Sequence, residues 1–142
     1  MNGIKRFTRW LSFFILFILA FGQGCKDDYQ SSIPTVDFMF TIHLVNHNNL
    51  TTVGFPEYLN GGYGGVVIVN NGLDGYYAYD VTCPYEVDLN CRVEGDGAIV
   101  TCPCCGTQYN LLENGFAFGG PSAEPLKSYN VNATGSDLII SD

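Results

Sequence analysis

The residues of this chain best suited to chemistry are cysteines in two short segments. Cys83 opens the first segment, residues 83–86, and the second segment, residues 102–109, contains three cysteines within four positions. A proline directly after the first cysteine of each segment stiffens the backbone, and Gly106 permits a positive φ angle. Such loops turn backbone N–H groups toward the sulfurs and stabilise thiolate charge. The two segments together therefore indicate a metal site.

These segments resemble the two cluster-binding loops of Rieske [2Fe–2S] domains, whose patterns are Cys-x-His and Cys-Pro-Cys-His-Gly-Ser-x-Tyr. The resemblance extends over residues 64–142, where residues 119–126 with Tyr129 are similar to the family's proline loop, which covers the cluster. It implies an all-β fold, an antiparallel sandwich with a small two-loop subdomain that binds the cluster.

Both histidine positions of the family pattern are changed in this chain, to Tyr85 and Cys105. The resemblance therefore implies a metal site of Cys83, Cys102 and Cys105, with Tyr85 at the fourth position. Tyrosine must ionise to ligate iron, and its ordinary pKa is near ~10. A set with more thiolate favours a potential toward roughly −400 mV, away from the Rieske range of about −150 to +300 mV.

Two further cysteines have alternative roles. In respiratory members of the family an extra cysteine in each loop forms a disulfide, and the resemblance implies this role for Cys104, with Cys91 as its partner. Cys91 lies further along the first loop than the family's cysteine does. In the alternative arrangement, Cys91 is a fourth thiolate ligand and Cys104 remains free.

Three functions follow from these arrangements. The first is a Rieske-like [2Fe–2S] module that transfers electrons to a redox protein partner. The second is a single zinc or iron ion, because residues 102–106 also form the Cys-Pro-x-Cys-Gly knuckle of rubredoxins and zinc ribbons. The third is a cluster-free surface lipoprotein with a structural or binding role, stapled by disulfides that include a Cys83–Cys105 pair. No nucleophile has a nearby histidine base, so no enzymatic activity is predicted.

The histidines of the chain, His43 and His47, lie upstream of both cysteine segments. The residues around them alternate as in a strand, and the stretch is polar, with several asparagines. We expect both to be solvated surface residues and not ligands.

The N-terminal segment predicts export and lipid anchoring. Basic residues precede an apolar run over residues 10–21, which is too short to span a bilayer and is typical of a signal peptide. The run ends just before Cys25, as in bacterial lipoprotein signals. We therefore expect residues 1–24 to be removed and Cys25 to be acylated, which places a lipoprotein on the bacterial outer membrane, periplasmic or surface-exposed.

The mature chain is predicted to have a flexible tether, residues 25–35, and one domain, residues 36–142. It carries three basic and fourteen acidic residues, a formal charge of −11. Such a charge repels phosphate backbones and excludes nucleic acid as a partner.

Short β-branched and aromatic runs separated by glycine and asparagine predict an all-β domain, and no segment has a helical period. The predicted strands are residues 36–45, 65–69, 76–81, 98–101, 108–112 and 138–140. Residues 54–64 are expected to connect strands and to pack their rings on the core. Both cysteine segments fall just after predicted strands, so antiparallel pairing can bring them together.

Overall fold

The computed structural model describes residues 30–142, apart from the side chain of Asp74, and residues Ser31–Asp142 form one compact unit. The predicted signal peptide, the acylated Cys25 and the first part of the tether lie outside the described residues. Within residues 30–142, no helix is long and apolar enough to cross a membrane.

Nine β-strands and three short 3-10 helices make up the described chain, and it contains no α-helix, which confirms the all-β prediction. The strands are β1 (Met39–His43), β2 (Pro56–Leu59), β3 (Val66–Asn70), β4 (Tyr76–Asp80), β5 (Ile99–Thr101), β6 (Gln108–Asn110), β7 (Phe116–Phe118), β8 (Ser128–Thr134) and β9 (Asp137–Ser141). The 3-10 helices are Leu44–Asn46, Asn48–Thr51 and Gly72–Asp74.

The strands form two antiparallel sheets. The larger sheet has six strands in the order β1-β9-β8-β4-β3-β2, and the smaller has three in the order β5-β6-β7. The small sheet and the two cysteine segments form the subdomain that the resemblance implies.

Strand β3 separates two hydrophobic cores. Its residues Val66 to Val69 are all fully buried, which explains why the sequence there is a continuous apolar run and not an alternation. Val67 and Val69 belong to a core that also contains Cys83 and Cys102, while Val66 and Ile68 belong to a second core with Leu138 and Ile140 on β9. The first cysteine of each segment is therefore part of the first core.

The stretch predicted to be a connection, residues 54–64, contains a strand. Strand β2 pairs with β3, with Pro56 opposite Val69 and Leu59 opposite Val66. The expectation that its rings pack on the core was wrong for Phe55 and Tyr58, which are both exposed. Proline is tolerated because β2 is an edge strand, where a missing N–H costs no ladder hydrogen bond.

The compact unit begins before residue 36, where the predicted domain starts. The side chain of Ile33 is only 2% exposed, and Ser32 donates from its backbone N–H and its hydroxyl to the carboxylate of Glu124, each over 2.6 Å. Residues 31–35 of the predicted tether therefore pack on the domain, because they bury an apolar side chain and satisfy a carboxylate.

Asp80, at the end of β4, is a buried carboxylate that gathers several donors. It accepts hydrogen bonds from the backbone N–H groups of Tyr63 (2.8 Å), Gly64 (3.0 Å) and Thr82 (2.8 Å), and from the hydroxyl of Tyr129 (2.6 Å). Burial, together with Asp80, raises the pKa of Tyr129, so its phenol stays protonated and donates. The carboxylate thereby fixes the chain directly before the first cysteine segment.

Candidate metal centre

The β5–β6 hairpin shapes the second cysteine loop. The N–H of Cys102 donates to the carbonyl of Thr107, and the N–H of Gly106 donates to the carbonyl of Cys102, both over 2.9 Å. Gly106 has a φ of +75°, the left-handed conformation expected from the sequence. In the first loop, the N–H of Cys83 donates to the carbonyl of Cys91 over 2.9 Å.

Three free cysteine sulfurs converge between the two loops. The Sγ atoms of Cys83, Cys102 and Cys105 all lie within 4.8 Å of one another, and those of Cys83 and Cys105 are 3.5 Å apart. Cys83 and Cys102 are buried, whereas Cys105 is half-buried. The structure therefore brings together the three cysteines that the resemblance implies as ligands.

The other two loop cysteines, Cys91 and Cys104, form a disulfide with a Cα–Cα distance of 5.6 Å. This is the pair that the resemblance implies, despite the longer first loop. The alternative with Cys91 as a fourth thiolate and Cys104 free is contradicted, because a sulfur in a disulfide has no thiolate to offer. The Cys83–Cys105 disulfide of the third hypothesis is also absent, since both thiols are free.

The predicted fourth ligand, Tyr85, is 54% exposed. Its neighbour Glu86 is half-buried, and a carboxylate oxygen of Glu86 lies within 4.8 Å of the Sγ atoms of Cys102 and Cys104. Glu86 was not among the predicted ligands. One feature of the sequence could have identified it: Glu86 is an ionisable oxygen donor three positions after Cys83, in the loop that lacks a histidine.

The thiols of Cys102 and Cys105 differ in how easily they ionise. Burial raises the pKa of Cys102 to about 12, although the backbone N–H groups of Cys105 and Cys104 point at its sulfur and oppose that rise. Burial also acts against ionisation of Cys105. The hydroxyl of Thr107, which lies 3.2 Å from its sulfur, the Thr107 N–H and the sulfurs of Cys83 and Cys102 together outweigh burial and lower the pKa of Cys105. Cys105 therefore ionises before Cys102, and Cys102 needs a bound cation to lose its proton.

Two hydroxyl groups lie beside the sulfurs. The buried hydroxyl of Tyr109 is 3.5 Å from the Sγ of Cys83, and burial followed by that sulfur raises the pKa of Tyr109. Tyr109 thus stays a neutral phenol that can donate to a Cys83 thiolate. Thr107 is held in place by the N–H of Ser122, which donates to its hydroxyl over 3.2 Å.

The segment similar to a proline loop, residues 119–126, packs against the second cysteine loop. Gly120 has a φ of +85°, and a Cβ atom there would lie only 2.5 Å from the Cα of Thr107. This close approach requires glycine and brings Ser122 within hydrogen-bond reach of Thr107.

Neither histidine is part of this site. The Nδ1 of His43 lies 2.7 Å from a carboxylate oxygen of Asp137, and the Nδ1 of His47 lies 3.1 Å from one of Glu57. His43 is exposed, as predicted. His47 is less solvated than predicted, with a side chain only 19% exposed, because it packs against Glu57.

We expect the double substitution of Cys91 and Cys104 by alanine to lower the free energy of unfolding by about 3 kcal/mol, because the disulfide closes a loop of 13 residues. Urea titration of metal-free protein without reductant measures the loss. The wild-type protein under the same conditions is the control. An unchanged midpoint and slope would show that the disulfide does not form or does not constrain the unfolded chain.

Comparisons with known proteins agree with this architecture. No protein-family model matches the sequence, and no curated protein matches it in sequence either. Among solved structures, the chain is similar to a chain of the complex of reduced oxygenase and oxidized ferredoxin in carbazole 1,9a-dioxygenase, with 19% identity, 72% of this chain and 92% of that chain covered, and a TM-score of 0.52.

A second similar structure is the cyanobacterial plasma membrane Rieske protein PetC3 from Synechocystis PCC 6803. Identity is 24%, the match covers 62% of this chain and 95% of that chain, and the TM-score is 0.51. At these identities the similarity shows the fold. The chain therefore contains a domain with the Rieske fold.

Proposed function

We propose that the domain holds a [2Fe–2S] cluster on the thiolates of Cys83, Cys102 and Cys105 and serves as an electron-transfer module. The observation that carries the proposal is the convergence of three free sulfurs within 4.8 Å of one another, while the remaining two loop cysteines close a disulfide. Loops at the corresponding place carry the cluster in the fold family that the sequence resembles.

The donor set fits such a cluster. Thiolates are soft ligands that favour iron–sulfur clusters, zinc or Cu(I) over magnesium or calcium. The hydroxyl groups of Tyr109 and Thr107 stand beside two of the sulfurs, as groups that orient and tune metal ligands do. When bound, the cluster supplies one-electron redox chemistry.

The surrounding residues act on the potential in opposite directions. With a cluster bound, the hydroxyl groups of Tyr109 and Thr107 would donate to the thiolates of Cys83 and Cys105, which would stabilise the more negative, reduced state and raise the potential. Three anionic thiolate ligands, in place of the two in a Rieske site, would lower the potential. Because a full negative charge outweighs a hydrogen bond, the potential belongs near roughly −400 mV, below the Rieske range.

A second candidate is a single zinc or iron ion at the same three sulfurs. With a metal–sulfur distance of about 2.3 Å, the sulfurs of a tetrahedral site lie about 3.8 Å apart. The 3.5 Å between the sulfurs of Cys83 and Cys105 is close to that value.

Elemental analysis separates these candidates. The full-length protein is purified anaerobically in detergent from iron-replete cells, and its iron, zinc, acid-labile sulfide and visible absorption are measured. Two irons and two sulfides per chain, with a coloured protein, are expected. One metal without sulfide would favour the single ion, and colourless, metal-free protein with Cys83 linked to Cys105 would overturn both.

The proposed role also includes a redox protein partner. In the carbazole 1,9a-dioxygenase structure, a ferredoxin forms a complex with an oxygenase. In this chain, exposed apolar side chains of the first loop, at Tyr85, Val87 and Leu89, offer a contact surface next to the site. Reduced protein should be reoxidised faster by a membrane fraction of the source cells than by buffer, and equal rates would count against a partner there.

We further propose that the domain is a lipoprotein of the bacterial outer membrane, anchored through acylated Cys25. The support is the sequence alone, namely the basic residues, the short apolar run and the cysteine that follows it. Substitution of Cys25 by serine should release the protein from the outer-membrane fraction. Unchanged fractionation and an intact mass without lipid on the wild type would contradict the anchor.

A further inference from the structure

We propose that Glu86, and not Tyr85, supplies the fourth ligand of the metal centre through a carboxylate oxygen. This inference rests on the metal-binding function proposed above. It gives the site three thiolates and one carboxylate.

The choice of donors is narrow once the disulfide is in place. Cys91 and Cys104 are bonded to each other, and both histidines contact carboxylates elsewhere in the domain. The hydroxyl groups of Tyr109 and Thr107 are already hydrogen-bonded to sulfurs of the site. The remaining candidate donors lie in the stretch of the first loop between Cys83 and Cys91. That stretch contains three ionisable oxygen donors: Tyr85, Glu86 and Asp88.

Asp88 is already used within the loop. Its Oδ1 accepts from the backbone N–H of Asn90 over 2.7 Å and from the Asn90 side-chain amide over 2.9 Å. Asp88 is also exposed, so its carboxylate stabilises a turn at the outer end of the loop.

The carboxylate of Glu86 lies at the edge of the three-sulfur group, next to Cys102. One of its oxygens lies within 4.8 Å of the Sγ of Cys102, which in turn lies within 4.8 Å of the Sγ atoms of Cys83 and Cys105. Its Oε2 also lies 3.5 Å from the Sγ of Cys91. That sulfur carries no proton in the disulfide, so the contact is packing and leaves the carboxylate charge uncompensated. The three ion pairs of the described residues do not include Glu86.

The chemistry of the two candidate donors points the same way. Carboxylate oxygens of Asp and Glu are regular zinc ligands in proteins, alongside cysteine and histidine. Glu86 is half-buried beside the sulfurs, whereas more than half of Tyr85 faces solvent. Tyr85 therefore occupies the position of the family's histidine but does not act as a metal ligand.

The test compares Glu86→Gln with two matched controls in the same loop, Tyr85→Phe and Asp88→Asn, all as full-length protein. Each variant is purified anaerobically, its circular dichroism is checked, and its metal content, visible and electron paramagnetic resonance spectra and rate of metal loss to a chelator are recorded. Glu86→Gln should shift the spectra and speed metal loss at least about tenfold, whereas both controls should match wild type.

The outcomes separate this inference from the function on which it rests. Metal-bound wild type with an unaffected Glu86→Gln variant, or a Tyr85→Phe variant that alone loses metal, would overturn the assignment of Glu86 and leave the metal site standing. Wild type without metal in the same preparation would overturn the proposed function, and the ligand assignment with it.

Discussion

Substitution of Cys102 by serine is expected to abolish metal retention. The sulfur of Cys102 lies within 4.8 Å of the sulfurs of Cys83 and Cys105 and of the Glu86 carboxylate, so it is central to the site. Structural metal sites with four ligands bind with roughly 10–16 kcal/mol, so loss of one ligand removes on the order of 3 kcal/mol, or about a hundredfold in affinity. To measure this loss, the protein is passed through a gel-filtration column in a buffer that contains a chelator, and its metal content is then determined.

The matched control is the double alanine variant of Cys91 and Cys104, which removes two loop cysteines and no proposed ligand. It should keep its metal while losing stability. Serine is close to cysteine in size, and circular dichroism checks that the Cys102 variant keeps its fold. Wild-type metal content in the folded Cys102→Ser variant would remove this residue from the site.

Substitution of Asp80 by alanine is expected to lower the free energy of unfolding by about 4 kcal/mol. The change leaves the N–H of Thr82 and the hydroxyl of Tyr129 without their acceptor in the protein interior, at about 1–3 kcal/mol for each. Two further N–H groups, of Tyr63 and Gly64, lose the same acceptor but are only partly buried. Urea denaturation of metal-free protein is the measurement.

Tyr129→Phe is the matched control, because it removes one donor and leaves the carboxylate with its three backbone partners. We expect it to lose only about 1–2 kcal/mol. The Asp80 variant should also lose metal faster than the control, since Thr82 directly precedes Cys83. Equal stability of the Asp80→Ala variant and wild type would show that the carboxylate does not organise this loop.

Much of the fold could be predicted because local patterns and the final packing agree. The apolar run at Val66 to Val69 is buried on both faces of β3, and the run into Asp80 forms β4. The cysteine segments fall after strands in both the sequence pattern and the structure. The expected direct pairing of those two strands does not occur, because β4 and β5 lie in different sheets. The sulfurs meet because residues 92–94 form antiparallel bridges to Thr82 on one side and to Thr101 on the other.

The strands that the sequence did not predict are defined by their partners. Strand β8 contains Asn130 and Asn132 and has few buried residues, but its first two residues pair with β4 and the rest pair with β9. Strand β2 is a short edge strand that begins with proline. In both cases tertiary pairing decides the conformation, and local propensity does not.

Glu86 could not be identified from the sequence for a related reason. Its orientation depends on the conformation of a first loop that is longer than in the resembled family. Tyr85 was predicted as the ligand because it occupies the family's histidine position. The loop conformation instead places the carboxylate of Glu86 near the sulfur of Cys102.

X-ray absorption spectroscopy at the iron edge of the wild-type protein tests the central claim most directly, because it identifies the atoms bound to the metal. For a cluster held by Cys83, Cys102 and Cys105, we predict a coordination sphere dominated by sulfur, a second iron close by, and no multiple-scattering signature of imidazole. Iron bound mainly by nitrogen and oxygen, or no iron bound to the purified protein, would contradict the account.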